Sequence, residues 1–335
     1  MSKQEKGVMK RVIVFGMIAV LLISFCFIMV GCLAFGTATT KGIDNPNHGT
    51  MYFGNYPQTK VTDKNIISAL GTFDSATWAS YSYYVDGEVS DCMYYIDKTY
   101  QGCQYRGVYI ASYRPDECDK KSSANNTYQS DNGYQATRVY WFKYEPIKWD
   151  VVKEEDGNAT LVADIILDSQ AFDFEEGEAY NNYAESTIRR WLNESFYNTA
   201  FSESEKETIL TTKIDNSASS TEDLDNPYVC EDTYDKIYLL SYVEANTYYE
   251  KPEERIKTSS NYARCQGLRV GDEGEFFTNV DSEWWLRSPN EWSNHRQDLH
   301  THVFCVSNIG YVFDWDDLFI YRTYMGVVPS LVIKL

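Results

Sequence analysis

The run VIVFGMIAVLLISFCFIMVGCLAF, residues 12–35, contains no charged side chain and limits every later choice. As a helix rising about 1.5 Å per residue it spans roughly 36 Å, enough to cross a hydrocarbon layer of about 30 Å with some tilt. Lys10 and Arg11 stand just before it, and basic flanks stay on the cytoplasmic side. The expected arrangement is a single pass with a cytoplasmic N-terminus and an extracellular C-terminal part at the cell membrane. The run exceeds the apolar core of an ordinary cleaved signal. Retention as a signal anchor fits its length best. Two other fates remain open: lipidation at Cys32, where Met29-Val30-Gly31-Cys32 approximates a lipobox, or cleavage after Ala34-Phe35-Gly36 or near Ala38. All three deliver the rest of the chain outside.

Charge then narrows the partners. The leading segment carries Lys3, Lys6, Lys10 and Arg11 against Glu5, so the formal −19 of the whole chain leaves −22 on residues 36–335. Such a surface repels phosphate backbones, which argues against nucleic acid as a partner. An excess of 28 Tyr and 8 Trp favours strands and binding surfaces that are apolar on one side and wet on the other. Six cysteines lie beyond the apolar run: Cys92, Cys103, Cys118, Cys230, Cys265 and Cys305. In an exported chain they permit up to three disulfides or remain small buried thiols, and no Cys-x-x-Cys suggests a zinc ribbon.

Residues 37–50 read as a polar linker, and MYFGNYPQTKV opens an ordered region. In EPIKWDVV, Ile147, Trp149 and Val151 alternate with Lys148 and Asp150, the pattern of a strand with one buried face. Glu155-Asp156-Gly157-Asn158 supplies a turn into ATLVADIILD, so a hairpin is expected. Ile188, Trp191, Leu192 and Phe196 recur at helical spacing, and Ser202 three residues before Glu205 forms a capping-box signature. KIYLLSYVEANTYY reads as a strand entering a helix, and KTSSNYARCQGLRVGDEGE as a long polar loop. The last third returns to strands, with Pro329 marking an edge or bulge. Strands, helices, then strands imply an α+β fold, mostly antiparallel, with two or three helices. One domain over 51–335 is expected, with residues 72–140 a tyrosine-rich, irregular elaboration.

The ordered series FGNYPQT, EPIKWDVV, LVADIILD, STIRRWLNESFYNTAFSESEKETI, DKIYLLSYVEA, NYARCQG, EWWLRSP and GVVPSLVIKL resembles a bacterial exported family catalogued only as a domain of unknown function. YRGVYIASYRP and VYWFKYEPIKW are similar to a longer subgroup of it. The ending is similar to endings of C-type-lectin-like folds, including bacterial surface modules and formylglycine-generating enzymes. That resemblance implies a compact C-type-lectin-like domain with paired helices, a small central sheet and a ligand-facing loop region. It implies no activity. Val328 departs from the arginine common at that position in the family.

The stretch EWWLRSPNEW places three tryptophans beside an arginine and admits two readings. In one, Trp284 and Leu286 fill a core while Arg287 pairs with a buried carboxylate or a loop carbonyl. In the other, Trp285, Arg287, Asn290 and Trp292 form a ligand edge where an indole stacks on a sugar and the guanidinium holds a carboxylate or hydroxyl. His295, His300 and His302 cluster as candidate metal ligands, with Asp298 as a possible completion. Asn290, Glu291, Asp314, Asp316 and Asp317 supply oxygens of the kind calcium takes, although the Glu-Pro-Asn of calcium-dependent lectins is absent. No other cofactor is suggested. The chain lacks a Gly-x-Ser-x-Gly elbow and phosphate-binding glycine loops. Cys265 and Cys305, forty residues apart, do not match the closely spaced pair of formylglycine-generating oxidases. The leading expectation is a membrane-tethered extracellular module that binds a glycan, peptide or protein. The alternatives are a metal-assisted hydrolase built on the histidine cluster and a purely structural envelope protein.

Overall fold

The computed structural model describes residues 48–81, 83–85, 88–118, 128–174, 181–270, 281–290, 302–313 and 319–335. The apolar run at 12–35 and Cys32 lie outside the described residues; among those described, no helix is long and apolar enough to cross a membrane. The fold is mixed α+β and dominated by antiparallel sheet. The strands in its first half are β1 (Gly49–Lys60), β2 (Ala79–Ser80), β3 (Tyr83–Val85), β4 (Glu88–Ser90), β5 (Met93–Tyr100), β6 (Cys103–Ile110), β7 (Arg138–Glu155), β8 (Asn158–Ala163) and β9 (Asp168–Ser169). There follow β10 (Thr212–Ile214), β11 (Thr233–Asp235), β12 (Ile237–Tyr238), β13 (Trp284–Pro289), β14 (Val303–Val306), β15 (Val312–Phe313), β16 (Gly326–Val327) and β17 (Ser330–Lys334).

The large sheet has eight strands, in the order β12-β17-β8-β7-β6-β5-β2 with β1 added against β7. Its centre is the 18-residue β7. Phe142 and Lys143 pair with Lys60 and Thr59 of β1 and also with Arg106 and Tyr105 of β6. Trp149 and Val151 pair with Met51 and Gly49 of β1 and also with Ala163 and Leu161 of β8. One edge of β7 is therefore lined by β1, while β6 and then β8 follow each other along the other edge. The expected hairpin between β7 and β8 is present. Asp156 and Gly157 both adopt positive φ, at 52° and 75°, the two-residue geometry that matches strand twist.

A smaller sheet of five strands, β15-β14-β13-β16-β9, holds the tryptophan strand at its centre. The C-terminal segment joins the two sheets. Gly326 and Val327 pair in the small sheet and Ser330–Lys334 in the large one. Pro329 lies at the crossing, where it has no amide to donate, and its carbonyl accepts from the Ala163 amide at 2.9 Å. What the sequence marks as an edge or bulge is a strand that changes sheets.

Helices are short and more numerous than the two or three expected: α1 (Lys64–Leu70), α2 (Tyr128–Asp131), α3 (Thr187–Trp191), α4 (Tyr197–Ala200), α5 (Glu203–Lys206), α6 (Tyr242–Tyr248) and α7 (Asn261–Cys265). A π-turn over Leu192–Phe196 makes α3 and α4 continuous, and Ile188, Leu192 and Phe196 are buried on one face. The Ser202/Glu205 capping box forms as expected. Its Glu205 also accepts the Gly54 amide of β1 at 3.0 Å. The stretch 257–275, expected as a polar loop, is described as far as residue 270, and that part is not simply a loop. Ser260 caps α7, which buries Tyr262, Ala263 and Cys265, so three core side chains outweigh the polar residues around them. Residues 72–140 are also more regular than expected, because β5 and β6 pair along their full lengths at the edge of the large sheet. A second apolar layer covers that edge, where Trp78 and Trp141 meet over Gly107. A Cβ on Gly107 would sit 2.6 Å from the Trp78 ring and 2.8 Å from the Trp141 ring, so only glycine fits. No disulfide joins the six cysteines among the described residues.

Asp150 departs from the simple alternation of its strand. It is buried under the segment between α6 and α7, where it meets Lys257 Nζ at 2.8 Å with the Tyr249 hydroxyl also at 2.8 Å. Burial works to raise its pKa, but Lys257 and Tyr249 outweigh that effect and hold the carboxyl below its ordinary range. Its contribution to stability is thus complete above the ordinary aspartate range and is lost as pH falls through the depressed folded value. Asp150→Asn takes from the buried Lys257 ammonium its hydrogen-bonded counter-charge. Denaturant titration at pH 7 is expected to show a loss of about 3–5 kcal/mol, with a flattened acid limb in the stability profile.

Candidate functional site

The tryptophan strand lies inside the protein. Trp284, Trp285 and Leu286 have no exposed surface, and Arg287 is 2% exposed. Arg287 pairs with Glu244 and donates to the Leu239 carbonyl at 2.7 Å, the Asp215 carbonyl at 3.0 Å and Asn216 Oδ1 at 3.1 Å. It ties β13 to three other segments and presents no donor at a surface. Trp285 donates its indole N–H to the Gln170 carbonyl at 2.9 Å, and Asn290 is buried. Side chains on both faces of β13 are buried, Trp284 and Leu286 on one and Trp285 and Arg287 on the other, so alternation separates two interiors rather than interior from solvent. Trp292, His295, His300, Asp316 and Asp317 lie outside the described residues. His302 is buried, with its ring 4.8 Å from that of Phe319, and its carbonyl accepts from Asn181 at 2.9 Å. Among the described residues no group of three or more His, Cys, Asp or Glu side chains is placed to hold a metal.

A different set of residues forms a cavity of about 190 Å³ where the two sheets and the α3–α4 helix meet. Strand β1 contributes Tyr56; β2 and the residue after it contribute Ser80 and Tyr81; β5 and β6 contribute Tyr95 and Arg106. Opposite them stand Asp168 and Gln170 at the end of β9, Tyr262 of α7, and Trp191, Ser195 and Thr199 along the helix. Trp191 and Thr199 are half-buried and Ser195 is exposed, so the helix side forms the mouth.

The polar groups are held in place by contacts within the protein. Asp168 is 2% exposed and accepts from the Tyr56 hydroxyl at 2.6 Å, the Ser169 amide at 2.7 Å and Gln170 Nε2 at 3.1 Å. Burial nevertheless raises its pKa, since those donors only partly offset the loss of water. Arg106 grips Asp97 through Nε at 2.8 Å and Nη2 at 2.6 Å, and Tyr144 donates to the same carboxylate at 2.9 Å. The Arg106 guanidinium lies 4.8 Å over the Tyr95 ring, and its charge acts on the Tyr262 hydroxyl. Burial opposes the Arg106 charge, yet the surrounding phenols and Asp97 hold its pKa well above the ordinary value. The Tyr262 hydroxyl is 2.8 Å from that of Tyr81, and Tyr56 meets the Tyr262 ring edge-on at 5.6 Å. A wider depression of about 620 Å³ lies by Arg189 on the same helix, walled by exposed Glu185, Arg190 and Glu194.

Sequence reasoning missed this constellation although most of its residues lie within the stretches that carry the family resemblance. Tyr56 belongs to FGNYPQT, Arg106 to YRGVYIASYRP, Asp168 to LVADIILD, Trp191 to STIRRWLNESFYNTAF and Tyr262 to NYARCQG. Their convergence was the available signal. It needed the crossing of two sheets to become visible.

A family model described as a domain of unknown function, DUF6273, matches residues 156–335. No curated protein and no solved structure matches the chain. Of the cavity's lining residues, Asp168, Gln170, Trp191, Ser195, Thr199 and Tyr262 fall within the matched segment, whereas Tyr56, Ser80, Tyr81, Tyr95 and Arg106 precede it.

Arg287→Met removes the partner of Glu244 and leaves the carbonyls of Asp215 and Leu239 short of a donor. The expected outcome is a loss of about 3–5 kcal/mol in unfolding free energy, measured by denaturant titration. A ligand-contact role without a structural one would leave that midpoint unchanged.

Proposed function

We propose, for a chain that belongs to the DUF6273 family of unknown function, that it is an extracellular ligand-binding module tethered to the bacterial membrane by residues 12–35. Its binding centre is the cavity between Arg106 and Asp168. The observation that carries this reading is a buried carboxylate and a buried guanidinium facing one small cavity, with both side chains locked by hydrogen bonds and with aromatic rings between them. A few oriented polar groups in an aromatic-walled recess are the general form of a small-molecule site. Burying two ionisable groups is costly unless their environment is organised, and structural need alone does not require them to share a cavity. The ligand comes from the carbohydrate or peptide classes, which supply small polar groups with apolar faces outside a cell.

The C-type-lectin-like reading of the fold belongs with this proposal. It is supported by the five-stranded sheet centred on β13 and by a C-terminal segment that returns to the large sheet. The anchor is supported by the uncharged length of residues 12–35 behind Lys10 and Arg11. Lipidation at Cys32 is the variant of the same tether.

Two measurements test the proposal. Full-length protein in a detergent without sugar headgroups, screened on glycan and peptide arrays, is expected to give hits that Trp191→Ala weakens at least tenfold, about 1.4 kcal/mol. Folded protein silent on both arrays overturns the binding reading. Protease added to intact cells is expected to digest the chain beyond residue 36, and full protection overturns the extracellular placement.

A further inference from the structure

Resting on the cavity as a binding site, the balance of charge and hydrogen-bonding groups within it narrows the ligand class. We infer that the site takes one neutral pyranose ring, the end unit of a glycan, with Asp168 accepting from ring hydroxyls and with Trp191 and Tyr95 as its aromatic walls. Size comes first. At about 190 Å³ the cavity is smaller than the roughly 300–1,000 Å³ usual for drug-sized ligands. It holds about six waters at about 30 Å³ each, which suits a single ring with its hydroxyls.

Charge comes second. The Arg106 guanidinium is met by the Asp97 carboxylate through two short bonds, so the pair brings little net charge to the cavity. Asp168 on the wall has neutral hydrogen-bond donors, and the buried Arg114 guanidinium, bonded to the adjacent Ser169 carbonyl, offsets its charge. An anionic ligand, whether a carboxylate or a phosphate, would face that aspartate and find Arg106 already engaged. A cationic ligand would gain Asp168 but share so small a volume with the Arg106 guanidinium. A neutral ligand avoids both costs.

Hydrogen-bonding character comes third. Tyr81, Tyr262, Ser195 and Thr199 carry hydroxyls, each able to give and to accept, and Asp168 has lone pairs beyond its three donors. Ligand hydroxyls have the same dual character and fit such a lining better than amides in a fixed orientation do. The aromatic walls suit the C–H faces of a pyranose.

The test uses saturation-transfer NMR on full-length protein in a polyoxyethylene detergent. The probes are the methyl glycosides of glucose, galactose, mannose and N-acetylglucosamine, with glucuronate, glucosamine and glycylglycine as comparators. At least one neutral glycoside is expected to receive saturation and to bind at least tenfold more tightly than glucuronate or glucosamine. Trp191→Ala and Thr199→Val, both at the mouth, are each expected to weaken it at least fivefold, and Asp168→Asn at least tenfold. The mouth variants keep the test decisive if the Asp168 variant does not fold. Preference for a charged sugar or for the dipeptide, abolished by Trp191→Ala, overturns the neutral-sugar inference while the cavity stands as a binding site. Neutral-glycoside binding unchanged by both mouth variants overturns the inference by placing that ligand elsewhere. No saturation of any probe in folded protein overturns both.

Discussion

The antiparallel ladder between β1 and β7 holds the two parts of the large sheet together. Strand β7 carries β6 along the first half of one edge and β8 along the second, while β1 lines its opposite edge through most of that length. Without β1, the β5–β6 hairpin and the β8–β17–β12 group would be joined only through opposite ends of one long strand. The ladder is interrupted between Tyr52 and Asn55, and the irregularity falls at Gly54, whose φ is 72°. A bulge changes local twist and re-aims the side chains that follow it. Here the next inward side chain is Tyr56, which reaches Asp168 in the other sheet. The constraint that unites the sheet also aims one wall of the cavity.

Once Tyr56 and Asp168 are joined, the surrounding groups follow in sequence. Trp285 fixes the Gln170 carbonyl from behind, so the core strand that sequence nominated for ligand contact positions the segment carrying Asp168. Tyr262 comes from a helix capped by Ser260, whose hydroxyl accepts from the Ala263 amide at 2.9 Å. Arg106 comes from the β5–β6 hairpin and is oriented by Asp97 on the paired strand. Each contributor is set by contacts outside the cavity, the condition under which a site is organised before binding.

Much of the fold was legible because it depends on local rules. The β7–β8 turn follows from Asp156-Gly157, the α5 start from Ser202 and Glu205, and the apolar face of the α3–α4 helix from the spacing of Ile188, Leu192 and Phe196. What was not legible depends on which faces become covered. Asp150 alternates like a solvent-facing residue yet is buried, since its counter-ion Lys257 comes from more than a hundred residues away. Arg287 and Trp285 read equally well as an edge or a core until both faces of β13 are seen to be buried. The tyrosines of β5 and β6 lacked clean alternation because α1 and the residues around Trp78 cover their outer face, leaving no polar side to mark.

The place where the matched family segment starts, at Asp156, carries its own implication. That boundary falls in the β7–β8 turn, between two strands that exchange hydrogen bonds along most of β8. Cutting there would keep β8, β17 and β12 but strip β8 of its neighbour, baring amides and carbonyls flanked by the fully buried Ala159, Leu161 and Ala163. An open, apolar strand margin invites pairing between molecules. Whatever closes that margin in other chains sharing the segment, here it is closed by the same stretch that brings Arg106 and the tyrosine wall of the cavity, so capping the sheet and building that wall are a single inheritance.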